Sequence, residues 1–265
     1  MLNVRELTKS FEGLNVVSGL TFDLDDGEIL GLIGPNGAGK ATVFNLLSGI
    51  LKPDSGAIFM DNENIAGRPP HRITGGGMTR TFRTPRLIKG VTALENLKPA
   101  FYLIERYSWF DSLLQTPRYR RAEAEMLAKI SETLDLLGIG WCADVAVEDL
   151  AYAVQKKLEL ARALLCDPKI LLLDGPSSGL NPAEADEITD LIRRIRGRSH
   201  IGIIVIEHNM RVVMGVSDRI VVMSRGSLIA QGSPAEIRGN EKVISAYLGE
   251  KTLRQLTAEP DFLEA

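Results

Sequence analysis

The chain opens with two stretches in which apolar and polar residues alternate. One covers residues 2–7 and the other residues 20–24, and the second is followed by the turn signal of residues 25–27. Alternation with a period of two is typical of strands with one buried face. The pattern therefore predicts antiparallel strands beside the continuous apolar strand of residues 29–33.

Helical and strand patterns then follow each other. A helix is predicted over residues 41–48, ended by Gly49, and a strand is predicted over residues 57–60 after the turn of residues 53–56. Glycine ends helices readily because it adopts backbone conformations that other residues avoid. This order of strand, helix and strand indicates an α/β fold.

Helical periodicity dominates from about residue 72 to residue 166, most clearly over residues 121–137. Strand patterns return at 170–173, 201–206 and 220–223, and they alternate with a helix over 183–196. Strands that alternate with helices form parallel sheets. We therefore predict a largely parallel α/β core, an antiparallel β part and an inserted helical subdomain, followed by a short helix and a polar tail over residues 234–265.

Composition narrows the function classes. The 265 residues are 45% hydrophobic and 25% charged, which is enough for one sizeable core with a smaller attached subdomain. A net charge of −3 argues against a nucleic-acid partner, because such proteins normally carry a basic surface. No apolar run reaches the ~20 residues of a membrane span. The chain is therefore expected to be cytoplasmic, with any membrane role supplied by a separate partner.

A glycine-rich loop follows the apolar strand of residues 29–33. It consists of Gly34, Pro35, Asn36, Gly37, Ala38, Gly39 and Lys40. In this context the backbone N–H groups of a P-loop converge on phosphates, and the lysine adds a cation. The next residue is Ala41, which lacks the hydroxyl group that normally binds Mg²⁺ there. The loop predicts a nucleotide site whose metal ligand is missing.

A second motif is the buried strand that ends at Asp174. An aspartate in this position, downstream of a P-loop, orients Mg²⁺ in P-loop NTPases. It is followed by the segment 175–182 and, further on, by the strand that ends in Glu207-His208-Asn209.

Together these motifs resemble the nucleotide-binding subunit of an ABC transporter. Within that superfamily the chain is similar to the branched-chain amino-acid and urea importer branch, through residues 34–40, 79–82, 180–182, 206–208 and 246–249. The resemblance covers essentially residues 2–249. It implies an ABC-type P-loop NTPase domain over residues 1–249, with a RecA-like parallel core, a helical subdomain at about 72–166 and a polar tail at 250–265.

The resemblance also implies a head-to-tail dimer that holds ATP and Mg²⁺ between two subunits, docked on a separate permease at the inner face of the membrane. Lys40 and Thr42 match phosphate contacts, Asp174 matches the metal-orienting carboxylate, and His208 matches the switch histidine. Asn181 matches the segment that crosses the dimer interface. Phe11 matches the aromatic residue that stacks on adenine, although a core aromatic on an edge strand is an alternative interpretation.

Several positions depart from the family pattern in ways that affect chemistry. Besides Ala41, the chain has Arg83 where the family has a glutamine and Gly175 where it has the water-polarising glutamate. The signature segment carries Ala151 and Ala153 in place of serine and glycine. A side chain at 153 crowds a place where backbone must approach phosphate closely. These changes predict impaired hydrolysis.

Two functions stay open on this basis. The chain either hydrolyses ATP to drive uptake of branched-chain amino acids or a related small polar solute, or it is a degenerate subunit that binds nucleotide without hydrolysis. The changes could be tolerated if Thr42 shifted toward the metal and His208 oriented the water. A more specific hypothesis is that Arg83 partly replaces the metal charge.

Residues 98–121, rich in aromatic and basic side chains, are expected to pack a helical hairpin and to form the docking surface for the permease.

Overall fold

The computed structural model describes residues 1–103 and 116–248. The strands are β1 (Leu2–Phe11), β2 (Leu14–Leu24), β3 (Ile29–Ile33), β4 (Ser55–Met60), β5 (Glu63–Asn64), β6 (Met78–Arg80), β7 (Ile170–Asp174), β8 (Gly202–Ile206), β9 (Arg219–Ser224) and β10 (Ser227–Gly232). The α-helices are α1 (Lys40–Leu47), α2 (Pro70–Gly75), α3 (Ala93–Leu97), α4 (Pro117–Leu136), α5 (Tyr152–Leu164), α6 (Pro182–Ser199), α7 (Met210–Val216), α8 (Pro234–Arg238) and α9 (Glu241–Leu248).

The strands form two sheets. A six-stranded sheet has the order β10-β9-β3-β8-β7-β6, in which all pairs are parallel except β10 with β9. This confirms the predicted parallel core, with the P-loop strand β3 at its centre. The other sheet is antiparallel and has the order β2-β1-β4-β5. The prediction that the first two strands lie beside β3 was wrong, since β8 and β9 flank it.

Alternation within the parallel strands separates two cores. Leu171, Leu173 and Val205 face the helical side, where they pack with residues of α5 and α6. Leu172 and Ile204 face the opposite side, where they pack with α1 and with the antiparallel sheet. Because side chains point to opposite faces at successive positions of a strand, both faces of the sheet are buried, which explains its continuous apolar strands.

Most of the chain between β6 and β7 is helical where it is described, with α3, α4, α5 and three short 3₁₀ turns. Helix α4 covers most of the predicted helix at 121–137. However, Met78–Arg80 form the edge strand of the parallel sheet, within the range predicted to be helical. Three residues are too few to show a strand pattern. Residues 104–115 of the aromatic and basic segment lie outside the described residues.

After β8, the chain forms more structure than the sequence indicated. Helix α7 and strand β10 were not predicted, and the described part of the C-terminal region holds two helices, α8 and α9, where one was expected. The predicted polar tail at 250–265 lies outside the described residues. Among residues 1–103 and 116–248, no helix is long and apolar enough to cross a membrane.

Candidate nucleotide-binding site

The P-loop connects the end of β3 to the start of α1. Gly39 precedes the helix with φ of 100°, and a Cβ atom there would lie 2.4 Å from the carbonyl oxygen of Val16. Only glycine fits this combination of a left-handed backbone and a close approach. The loop therefore keeps the tight geometry that exposes backbone N–H groups and a helix N-terminus to a phosphate.

Lys40 lies inside this loop. Its side chain is buried, and its ammonium group donates to the carbonyl oxygens of Gly34 at 2.6 Å and Pro35 at 2.9 Å. Burial lowers the pKa of the ammonium group from its ordinary value. An ammonium group has three donors, so two of them position the cation across the loop and the third remains for a ligand oxygen.

Asp174 ends β7 and forms a salt bridge with Arg80 of β6. The two side chains are 15% and 9% exposed, and their closest oxygen and nitrogen atoms are 2.7 Å apart. Arg80 also donates to Asn45 of α1 at 2.7 Å, and its guanidinium lies 5.4 Å from the ring centre of Phe44. Arg80 thus links both strands to the helix that follows the P-loop, and it neutralises the carboxylate assigned to the metal.

Glu207 organises the loops at the ends of β7 and β8. This buried carboxylate accepts hydrogen bonds from the backbone N–H and the hydroxyl group of Ser177, both at 2.6 Å. It also accepts the backbone N–H of His208 at 2.8 Å. A buried carboxylate needs such donors to offset its desolvation. Glu207 therefore fixes the backbone that carries His208.

His208 itself is exposed, and it lies within electrostatic range of Lys40 and Arg83. Its pKa is lowered, chiefly by partial burial and further by the positive charges of Lys40 and Arg83. The lowered pKa favours the neutral imidazole, which can donate one hydrogen bond through one ring nitrogen and accept another at the other. The fold thus places His208 near both Lys40 of the P-loop and Arg83.

Gly175 adopts a left-handed conformation directly after Asp174, with φ of 57°. Its N–H donates to the carbonyl oxygen of Ile206 at 2.7 Å, and its own carbonyl accepts from the Lys156 ammonium group at 2.8 Å. The same ammonium group donates to the carbonyl of Arg83 at 2.5 Å. Lys156 of α5 therefore joins Arg83 and Gly175, two of the positions that were predicted from the sequence to depart from the family pattern.

The remaining predicted residues lie on β1, on α1 and at the starts of α5 and α6. Phe11 ends β1 and is 41% exposed, so the alternative of a core aromatic was wrong. Ala41 and Thr42 lie in the first turn of α1. Ala151 precedes α5 without a side-chain cap, whereas Asn181 caps α6 by accepting the N–H of Glu184 at 3.0 Å. Their contacts with a nucleotide stay predictions.

Sequence reasoning missed the roles of Arg80, Lys156 and Glu207. Arg80 and Glu207 lie within motifs already singled out, at residues 79–82 and 206–208, yet their partners are distant in sequence. Lys156 belongs to a pair of lysines on the helical pattern of residues 152–164. Lysine side chains on a helix are usually solvated, so the pattern gave no signal that this one is buried.

The donor set does not match the usual protein ligands of Mg²⁺. Ala41 offers no side-chain oxygen, Arg83 offers a cation, and the carboxylate of Asp174 is already paired with Arg80. Within the described ranges, no group of three His, Cys, Asp or Glu side chains is arranged to hold a metal ion. By contrast, the loop of residues 34–40 fits the phosphates of a nucleotide.

Comparisons with known proteins agree with this geometry. The family model described as ABC transporter matches residues 17–178, and the one described as branched-chain amino acid ATP-binding cassette transporter matches residues 227–251. The chain is 41% identical to the high-affinity branched-chain amino acid transport ATP-binding protein BraF of Pseudomonas aeruginosa, over 94% of this chain and 98% of that protein. It is 42% identical to the corresponding protein LivG of Escherichia coli K12, with the same coverage.

Among solved structures, the chain is similar to MJ1267, an ATP-binding cassette of an ABC transporter, in its ADP conformation. The TM-score is 0.82 at 30% sequence identity, covering 94% of this chain and 99% of that one. A nucleotide-free ATP-binding cassette from an ABC transporter matches with a TM-score of 0.81, also at 30% identity and with the same coverage. With its P-loop, its α/β architecture and these similarities, the chain belongs to the ATP-binding cassettes of the ABC transporter family.

Proposed function

We propose that this chain is the ATP-binding subunit of an importer for branched-chain amino acids or a related small polar solute. The relatives BraF and LivG, each matched over 94% of this chain, carry that function in their names. The match of residues 227–251 to the branched-chain family model supports the same branch. The observation that carries ATP binding is the P-loop, in which the Lys40 ammonium group is held across the backbone that would surround the phosphates.

The proposal includes partners. In ABC transporters, ATP-binding subunits act in pairs and attach to permease subunits in the membrane. We propose that residues 1–249 form one such nucleotide-binding domain at the inner face of the membrane. Its helical part, at about 72–166, then contacts the permease. ATP would lie between the P-loop of one subunit and the N-terminal end of α5 of another, with Phe11 against the adenine.

We further propose that hydrolysis is impaired. Gly175 provides no carboxylate to polarise water, and the loss of a general base typically lowers a rate by roughly 10²- to 10⁴-fold. This corresponds to about 3–5 kcal/mol of activation free energy. Ala151 and Ala153 weaken the site that the partner subunit completes. The exposed imidazole of His208 is able to orient a water molecule at this site.

A second candidate function is a subunit that binds nucleotide and supports assembly without hydrolysis. The specific observation in its favour is the left-handed backbone at Gly175, with φ of 57°. Such a conformation disfavours any residue with a side chain. The backbone at position 175 therefore suits glycine, so the change from glutamate to glycine agrees with the local conformation.

The test measures ATP binding and steady-state hydrolysis of the purified chain, alone and with its permease partners. The proposal expects ATP binding that is lost in Lys40→Met, together with turnover near background. A variant carrying Ala41→Ser, Arg83→Gln, Ala151→Ser, Ala153→Gly and Gly175→Glu should gain turnover. Clear turnover by the unmodified chain would contradict impaired hydrolysis, and failure to bind ATP would contradict the whole proposal.

A further inference from the structure

The buried ammonium group of Lys156 is compensated by backbone carbonyls. The residue is 6% exposed, and the ammonium group donates to the carbonyls of Arg83 at 2.5 Å and Gly175 at 2.8 Å. In the described part of the chain, no carboxylate lies within salt-bridge distance of it. Its neighbour Lys157, 7% exposed, instead pairs with the carboxylate of Glu187 at 2.5 Å. Buried charges require compensation, so the two carbonyls are held firmly toward Lys156.

Gly175 is therefore anchored at both ends of the residue. Its N–H is bonded to Ile206, and its carbonyl accepts from both Lys156 and the backbone N–H of Ser178 at 3.0 Å. These bonds fix the two peptide planes that determine φ, which is 57°. A left-handed backbone costs a residue other than glycine about 1–2 kcal/mol, a cost that Glu6 and Glu12 bear elsewhere in this chain.

A side chain at position 175 would meet two further groups. Its Cβ atom would lie 2.6 Å from the hydroxyl oxygen of Ser178 and 3.2 Å from Cγ of Arg83. The Ser178 hydroxyl group can rotate away, and Arg83 is exposed and can shift. Steric crowding is therefore the smaller obstacle, and the fixed backbone conformation is the larger one.

We propose that Lys156 is a positioning residue that holds residue 175 in a left-handed conformation, which favours glycine over a residue with a side chain. The hydrogen bond from Lys156 to the carbonyl of residue 175 then disfavours a glutamate at this position. The inference rests on the proposed function, in which position 175 is the place of the water-polarising carboxylate. The backbone conformation at residue 175 then disfavours a glutamate at this position. Because Lys156 stabilises that conformation, it contributes to the preference for glycine.

The first test is a double-mutant cycle with Gly175→Ala, which adds a Cβ atom without charge. In the native background this substitution should lower the melting temperature by about 2–8 °C, as a left-handed alanine would in a chain of this size. In the Lys156→Met background the decrease should be less than half as large, because the freed carbonyl lets residue 175 relax. Equal decreases in both backgrounds would overturn the proposal.

Lys157→Met is the matched control. It removes a buried lysine from the same helix, but that lysine is paired with Glu187 and does not contact residue 175. It should leave the effect of Gly175→Ala unchanged. Lys156→Arg, which keeps a cationic donor, should also leave the full effect in place. If either variant reduced the effect of Gly175→Ala on the melting temperature as much as Lys156→Met does, the proposal would be contradicted.

Hydrogen exchange gives a second readout. Lys156→Met should speed amide exchange at residues 175–179 and 83–86, where the carbonyls are released, whereas Lys157→Met should not. If Lys156→Met does not fold, Lys156→Gln replaces it, because the shorter amide does not span both carbonyls. Unchanged amide exchange in these segments would contradict the inference that Lys156 holds the two carbonyls.

Hydrolysis then separates the two proposals. When Lys156→Met is added to the five-residue variant described above, kcat should rise by a further 5- to 30-fold, the factor that corresponds to a left-handed penalty of about 1–2 kcal/mol. If the cycle shows coupling but no variant hydrolyses ATP, Lys156 holds the backbone as inferred, and the proposed catalytic role of position 175 fails. If the five-residue variant is active and the cycle shows no coupling, only the inference about Lys156 fails.

Discussion

The guanidinium of Arg80 and the carboxylate of Asp174 lie 2.7 Å apart at the edge of the parallel sheet, and both side chains are largely buried. Arg80 belongs to the edge strand β6 and Asp174 to its neighbour β7. The arginine also reaches Asn45 and Ser48 on α1. The carboxylate that ends β7 is thus part of a structural network as well as of the candidate nucleotide site.

This network makes Arg80 a stability determinant. Arg80→Met would leave the Asp174 carboxylate without its counter-charge, and breaking a buried pair in this way costs about 3 kcal/mol or more. For a chain of this size we expect the melting temperature to fall by about 6–12 °C, measured by thermal unfolding. Arg211→Met is the control, since its pair with Asp186 is exposed and worth about 0–1 kcal/mol. Similar decreases in melting temperature in both variants would show that the buried pair stabilises the fold no more than the exposed pair does.

Local sequence patterns predicted the P-loop, the strand that ends at Asp174 and the helix that begins after Asn181. Each depends on residues within about ten positions of one another, such as the run Ile170–Asp174 and the Asn181 cap. The sequence predicted a parallel core and an antiparallel β part, as observed, but the strand pairings within the two sheets were not predictable in the same way. Pairings such as Leu2 with Met60 are set by packing of the whole chain.

In the candidate site, too, local motifs were predictable and contacts between distant segments were not. Lys40, Asp174 and His208 are marked by motifs, whereas the partners of Asp174 and Gly175 come from distant segments. Arg80 and Asp174 are separated by 94 positions, and Lys156 reaches back 73 positions to Arg83. A lysine in a helical pattern does not reveal which backbone carbonyls it will meet. The changes at 83 and 175 were visible in the sequence, but their common contact with Lys156 was not.

Phe11 provides a test of adenine recognition. Because its ring is 41% exposed, Phe11→Ala should change the free energy of unfolding by no more than about 0.5 kcal/mol. Loss of base stacking, worth about 1–3 kcal/mol, should weaken ATP binding by about 5- to 150-fold. Titration with tripolyphosphate should give the same affinity in both proteins. Leu14→Ala, at the paired position of β2, is the control and should bind ATP normally; an equal loss there would contradict a specific role of Phe11.

The exposed side chain of Arg83 provides a test of charge replacement at the phosphates. If Arg83 supplies part of the positive charge that Mg²⁺ normally brings, ATP affinity of the native chain should differ by less than about 3-fold with Mg²⁺ and with chelator, a difference below 1 kcal/mol. Arg83→Gln should bind ATP more weakly in chelator and recover when Mg²⁺ is added. Calorimetric titration under both conditions measures this. A strict Mg²⁺ requirement of the native chain would exclude the idea.

His208 predicts a pH dependence of stability with a defined sign. Its pKa in the folded state is lowered by partial burial and by Lys40 and Arg83, so the folded state favours the neutral imidazole. The unfolded state binds a proton more readily near its ordinary pKa of about 6.5. Stability from this residue is therefore complete above that pH and is lost as the pH falls below it.

The measurement compares melting temperatures at pH 7.5 and pH 5.5, a range in which most carboxylates stay ionised. His208→Gln should reduce the difference between the two values, because it removes the group whose protonation opposes folding. His71→Gln, which changes an exposed histidine on α2, is the control substitution for loss of an imidazole. If His208→Gln leaves the difference unchanged, the pKa of His208 is not lowered by its surroundings in the folded state.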